Sequence, residues 1–326
     1  MSPENGDGQF PVEVFRVEPV RPVWRWDEWV PEPHPYRSLA IAIGLFILTA
    51  FSTLAAGAQF AAAYAAGQAP TFDNFFSSYF QPFMEPRLFL AGMPFAVTLL
   101  GILMAHELGH YFACRYYHIR ATYPFFIPAP TLIGTLGAFI RIRSPILNRR
   151  ALFDMALAGP LVGFVLAVPA LALAIVRSKV IVGGQAEQAF VFGQPLIERL
   201  LEALLRPGVA HADLLLSPVG RAAWVGMFAT ALNLLPAGQL DGGHILYTLT
   251  SNWHKRISLG VALALVPLAV RFWNGWAVWA VLLVAIGFRH PPLMNPWEPL
   301  DRSRRVWSGV ALAIFVLCFM PAPFVI

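Results

Sequence analysis

His106 and His110 stand four residues apart in the stretch MAHELGHYFAC (104–114), with Glu107 beside the first. Residues four apart on a helix share one face. Two imidazoles so placed can bind Zn²⁺, and a glutamate next to them can serve as general base. The setting sharpens the reading. The stretch continues an uncharged run that begins just after Arg87. An ionisable group inside a membrane helix costs about 2.5–3.5 kcal/mol on insertion scales. A bound metal would offset that cost; the plain alternative is three polar groups paired with one another or lining a polar cavity.

A hydrolytic zinc site uses three protein ligands and keeps one position open. The stretch NLLPAGQLDGGH (233–244) offers the third ligand in Asp241. His106 follows Arg87 by 19 residues and Asp241 follows Arg221 by 20. At about 1.5 Å per helical residue, both lie near 28 Å along their spans, towards the same membrane face. Pro236, Gly238, Gly242 and Gly243 are expected to break or kink this second element, which is tolerated at membrane depth only where protein or water covers it. Taken alone, Asp241 reads as the ion-pair partner of an arginine.

These residues need helices to position them, and the composition says which kind. Of 326 residues, 57% are hydrophobic and 13% charged, against about 25% charged in soluble domains. The chain reads as an all-α, multi-pass integral membrane protein. Uncharged runs at 39–63, 88–114, 155–176, 222–240 and 306–325, with a broken pair at 257–288, give about six to seven transmembrane helices. Residues 1–37 read as a polar cytosolic tail and 38–326 as one membrane-embedded domain. Arginines concentrate in the segments that share a side with the N-terminus, among them Arg37, Arg120, Arg149 and Arg304, while the short loops opposite hold Arg87 and Arg271. The N-terminus is therefore expected in the cytosol, of the inner membrane if the source is bacterial. The net charge of +5 carries no basic stripe or nucleic-acid module, so no nucleic-acid partner is expected. The two cysteines, Cys114 and Cys318, lie in apolar stretches and make no disulfide framework.

The pair HELGH and NLLPAGQLDGG resembles the site-2 protease family of intramembrane zinc metalloproteases. The family's second motif, Asn-x-x-Pro-x-x-x-Leu-Asp-Gly, is matched by Asn233, Pro236, Leu240, Asp241 and Gly242. GTLGAFIRIRSP (134–145) and FDMALAGPLVG (153–163) resemble the family's re-entrant β-hairpin, between the second and third spans, and the start of its next helix. The resemblance covers about 88–250. It implies one Zn²⁺ held by His106, His110 and Asp241. It implies Glu107 activating the attacking water and passing its proton to the leaving amine. It implies Asn233 touching substrate backbone or the scissile carbonyl, where the plain reading is a hydrogen bond between helices. It implies a transmembrane protein or peptide as substrate, cut near the cytosolic face within the lipid bilayer. The loop after the third span is too short for the PDZ domain that many bacterial members carry there.

Alternation over 136–143 predicts a short strand, whose edge could pair with an unwound substrate or be a plain interfacial hairpin. His118 falls about 80° around the helix from His110 and is not an obvious ligand. His244 follows the glycines and could approach the site but reads as a surface group. His254 and His290, beside basic residues, read as interfacial, and Asp154, near Arg149 and Arg150, as a member of a structural ion pair. Two rivals stand beside the hydrolase. A zinc or divalent-metal transporter would need further ligands on adjacent helices. A zinc protease with a glutamate third ligand finds Glu187, Glu198 and Glu202 only in the external loop.

Overall fold

The computed structural model describes residues 35–68, 79–80, 84–181, 191–209, 214–288, 290–291 and 293–325. Nearly all of the expected polar tail lies outside the described residues. Helix α1 (Pro35–Ala66) is followed by a short α2 (Pro86–Ala91) and by α3 (Met93–Tyr116), which carries the His-Glu-x-x-His residues. A β-hairpin, β1 (Phe125–Pro128) and β2 (Thr135–Phe139), precedes α4 (Arg149–Val176). Short pieces follow: β3 (Lys179–Val180), β4 (Val191–Phe192), α5 (Leu196–Leu205) and β5 (Leu214–Leu215). The second half comprises α6 (Pro218–Asn233), α7 (Asp241–Leu249), α8 (Ser251–Arg271), α9 (Gly275–Ile286), α10 (Arg302–Cys318) and β6 (Phe324–Val325).

Four helices, α1, α3, α4 and α8, are long and apolar enough to cross a membrane, and α9 is a shorter apolar helix. Their outward faces carry Ile43, Leu48, Val97, Val165, Leu263 and Val281, all exposed. Apolar surface on that scale belongs against lipid rather than water. The protein is thus a mostly helical, multi-pass membrane protein with small sheets.

The core forms where α3, α4 and α6 meet. Ile102, Phe153, Leu171 and Met227 pack there, joined by Ala311 and Ile314 of α10. Asn148 starts α4 by accepting a hydrogen bond from the Ala151 amide at 2.9 Å, the usual device for an orphan helix donor. Asp154 makes the expected ion pair, but with Arg304 at 2.5 Å rather than with Arg149 or Arg150. Arg304 is brought there by α10, an element too far along the chain for local spacing to reveal. Helix α1 also proves integral. Ser52 donates to the Gly134 carbonyl at 2.5 Å, and Phe46 meets Phe126 edge-on, so α1 backs the hairpin.

The hairpin pairs Phe125 with Phe139 and Phe126 with Ala138. An isolated bridge between Ala121 and Ile142 extends the pairing, so the expected strand is shorter than 136–143 but continues as a bridge. Among the described residues β2 pairs with β1 on one edge and with no strand on the other.

Candidate active site

Helix α6 ends at Asn233, and the chain then leaves helical geometry until Asp241. Pro236 supplies no amide and disfavours helix in the residue before it. Counting Asp241 along a continuous helix therefore overstates its depth; the chain folds back instead. Gly238 takes φ +57°, donates its amide to Ser258 Oγ at 3.1 Å and accepts from His254 Nε2 at 3.1 Å. His254 is 2% exposed, which overturns its reading as an interfacial residue: it clamps this loop from α8. The fold-back is tight enough that a Cβ on Gly242 would sit 2.1 Å from the Leu234 carbonyl oxygen, which accounts for glycine directly after the aspartate.

The loop delivers Asp241 to the two histidines. The Nε2 atoms of His106 and His110 are 3.0 Å apart, and Asp241 Oδ2 lies 3.4 Å from each. A tetrahedral zinc with bonds of about 2.0–2.1 Å places its ligand atoms about 3.3–3.4 Å from one another. The three atoms thus form one face of such a tetrahedron. His110 Nδ1 donates to the Met155 carbonyl at 2.7 Å. A carbonyl only accepts, so the neutral ring's lone pair is on Nε2, aimed at His106 and Asp241. The donor set, two imidazoles and a carboxylate, suits zinc. Among the described residues this is the one group of three or more ligating side chains close enough to share an ion.

Helix α4 holds the histidines in place. A Cβ on Gly159 would fall 2.2 Å from His110 Nε2, and one on Gly109 of α3 would fall 2.6 Å from the Ala158 carbonyl oxygen. The two helices approach backbone to backbone, as small residues permit in membranes. AGPLVG is legible in the sequence as a packing motif; its contact with the His110 ring is not.

Glu107 is 5% exposed and lines a cavity of about 210 Å³ with His106, His110 and Asp241. The Ile140 backbone amide is turned towards its carboxylate. The hairpin contributes Ala138, Phe139 and Ile140 to the lining of the cavity; α6, the loop after it and α7 contribute Asn233, Gln239, Leu240 and His244. Asn233 Nδ2 is 3.3 Å from His106 Nε2, so the last residue of α6 also reaches the cluster. His244 belongs to the cavity rather than to the surface expected for it. His118, by contrast, lies beyond the end of α3 with φ +55° and is outside the cluster.

Fold and site together define a multi-pass membrane protein with a buried His-Glu-x-x-His helix and a facing aspartate loop. The chain belongs to peptidase family M50, whose sequence profile matches residues 94–269. It is 30% identical over 243 residues to the probable zinc metalloprotease EGY1, chloroplastic, of Arabidopsis thaliana, covering 71% of this chain and 43% of that protein. It is 30% identical over 264 residues to the probable zinc metalloprotease EGY2, chloroplastic, of Oryza sativa subsp. indica, covering 77% of this chain and 46% of that protein. The chain spans less than half the length of these relatives.

Proposed function

We propose that the protein is an intramembrane zinc metalloprotease that hydrolyses a peptide bond in or near a transmembrane segment of a membrane-protein substrate. The observation that carries this reading is the convergence of His106 Nε2, His110 Nε2 and Asp241 Oδ2 at 3.0–3.4 Å with Glu107 in the same cavity. His106, His110 and Asp241 hold one zinc per chain. When bound, zinc supplies Lewis-acid polarisation of the scissile carbonyl and lowers the pKa of water in the site.

The chain's own groups do the rest. Glu107 takes a proton from the attacking water and returns it to the leaving nitrogen as the C–N bond breaks. Met155 fixes the His110 tautomer. Asn233 donates a hydrogen bond to the substrate's main chain beside the scissile carbonyl. The open edge of β2 pairs with an unwound substrate segment, and the surrounding helices exclude bulk water. The hairpin re-enters the membrane between the second and third spans. With α6 and α10 added to the four long helices six helices cross, and seven with the shorter α9; the distribution of arginine supports a cytosolic N-terminus and cleavage towards the cytosolic side. Transport is the weaker reading, since passing an ion on needs successive ligand groups and the described residues supply one.

The test is metal analysis of the purified protein together with cleavage of a single-span substrate in detergent or liposomes. One zinc per chain and chelator-sensitive cleavage are expected. Zinc uptake into vesicles without cleavage would overturn the proposal.

A further inference from the structure

Strand addition along β2 satisfies only one edge of an unwound substrate. Main-chain N–H and C=O groups of a strand alternate between its two edges. A substrate laid along β2 would pair one edge there and leave the other for the rest of the cavity lining, which includes Asn233, Gln239 and His244. In a site shielded from water, the groups on that outer edge need partners supplied by the protein.

His244 is built to be such a partner. Its Nδ1 lies 2.8 Å from His290 Nε2. His290 Nδ1 lies 2.6 Å from the Pro291 carbonyl oxygen. Proton positions follow from the end of this chain. The carbonyl can only accept, so His290 carries its hydrogen on Nδ1 and offers an Nε2 lone pair. His244 must then donate from Nδ1, leaving its own Nε2 without a hydrogen. Burial lowers the His290 pKa, which favours this neutral state. Tyr247 stacks on the His290 ring at 4.0 Å and 13°, fixing its plane. Among the described residues no hydrogen bond is made to His244 Nε2. It is a pre-oriented acceptor on a wall of the catalytic cavity, with its partner still to come.

We propose that His244 is a substrate-binding residue. Its Nε2 accepts a hydrogen bond from a main-chain N–H on the outer edge of the unwound substrate, and His290 is the positioning residue that sets its tautomer. The proposal rests on the protease reading above. It deepens that reading by giving the site a register: one substrate residue opposite His244 must have an N–H, so proline is excluded there.

The experiment uses the full-length zinc-loaded protein in detergent and a synthetic single-span peptide, with zinc content, kcat and KM measured for each enzyme. His244→Phe keeps a ring and removes the acceptor. It should keep zinc and raise KM about 10-fold, the effect of stranding one donor. His244→Gln, whose side-chain carbonyl can accept, should recover part of this. His290→Phe keeps a ring against Tyr247 and should raise KM less, with no added effect in a His244→Phe background. Replacing substrate amides one at a time by esters should reveal one position that weakens binding to the wild type but not to His244→Phe. An unchanged KM in His244→Phe, or the same ester profile in both enzymes, overturns the proposal. So does loss of zinc from His244→Phe, which would make the residue a support of the metal site. Zinc-dependent cleavage by the wild type tests the protease reading separately, so the two can fail independently.

Discussion

His110 donates from Nδ1 to the main-chain oxygen of Met155, 2.7 Å away on the neighbouring helix. That one bond ties the ligand geometry to the packing of α3 on α4. It sets which ring nitrogen faces Asp241, and it holds the ring over Gly159, where a Cβ would be 2.2 Å from Nε2. Outer partners of this kind commonly matter to metal affinity nearly as much as the ligands themselves.

Gly159→Ala should therefore weaken zinc binding by about 10–100-fold, the range seen when outer-shell support is lost. The ring has to rotate or the helices have to part. Metal affinity by competition with a chelator is the measurement. Wild-type affinity would mean that α4 does not position His110.

Glu107→Gln should keep zinc and lose activity. The ligand atoms are untouched and the volume is conserved, but the carboxylate that carries the water proton is gone. Cleavage should fall by about 10²–10⁴-fold, the usual contribution of general acid–base catalysis. Residual activity near wild type would remove Glu107 from its assigned role.

Asp241→Ala should lower zinc affinity further than Gly159→Ala, because it deletes one of three ligands rather than displacing one. Helix content by circular dichroism should hold, since Gly238 remains clamped by Ser258 and His254. Full zinc occupancy in this variant would require a different third ligand.

How far the sequence reveals this site follows from where each group lies. His106 and His110 are legible from helical spacing alone, and Asp241 from its motif. The depth count assumes a continuous helix, and it is the fold-back after Asn233 that brings Asp241 to the histidines. Apolar runs likewise mark the long helices, because lipid selects composition directly. The supporting groups are hidden. Met155 acts through a backbone oxygen, which any residue carries. His254 and His290 sit beside basic residues in sequence, and only the packing of α8 and of the loop after α9 brings them to Gly238 and His244. Helices α1 and α10 carry no motif, yet they back the hairpin and fasten α4.

The α10 anchor should weaken in acid. Asp301 accepts from the Arg304 amide at 2.9 Å, and that amide, ahead of the Arg304 side chain, holds its carboxyl below the usual carboxylate range. A depressed carboxyl stabilises the fold above its unfolded-state pKa, and the contribution is lost as pH falls through the lowered value. The thermal stability gap between wild type and Asp301→Ala should be present at neutral pH and close as pH drops. A gap that does not vary with pH would show that the charge plays no part.

Substrate choice should follow how readily the target helix opens. A helical segment keeps its carbonyls in internal hydrogen bonds, so a span must unwind before Glu107 and the metal site can act on a peptide bond. Gly and Pro destabilise a helix interior by about 1 and 3 kcal/mol relative to Ala, and the open edge of β2 would pair with main chain rather than with particular side chains. A single-span substrate with Gly or Pro near its cytosolic end should therefore be cleaved faster than one with Ala or Leu, while side-chain preference stays weak. Proline removes an N–H wherever it sits. Moving it one residue at a time should give slow members opposite His244 and where the substrate N–H pairs with β2, with fast members between. Only the slow member opposite His244 should recover in His244→Phe. The measurement is initial cleavage rate across a Gly, Pro, Ala and Leu series at fixed enzyme and detergent. Equal rates throughout would mean that the substrate is not cut from an unwound, strand-like conformation, and the hairpin would then have to be explained as packing against α1 alone.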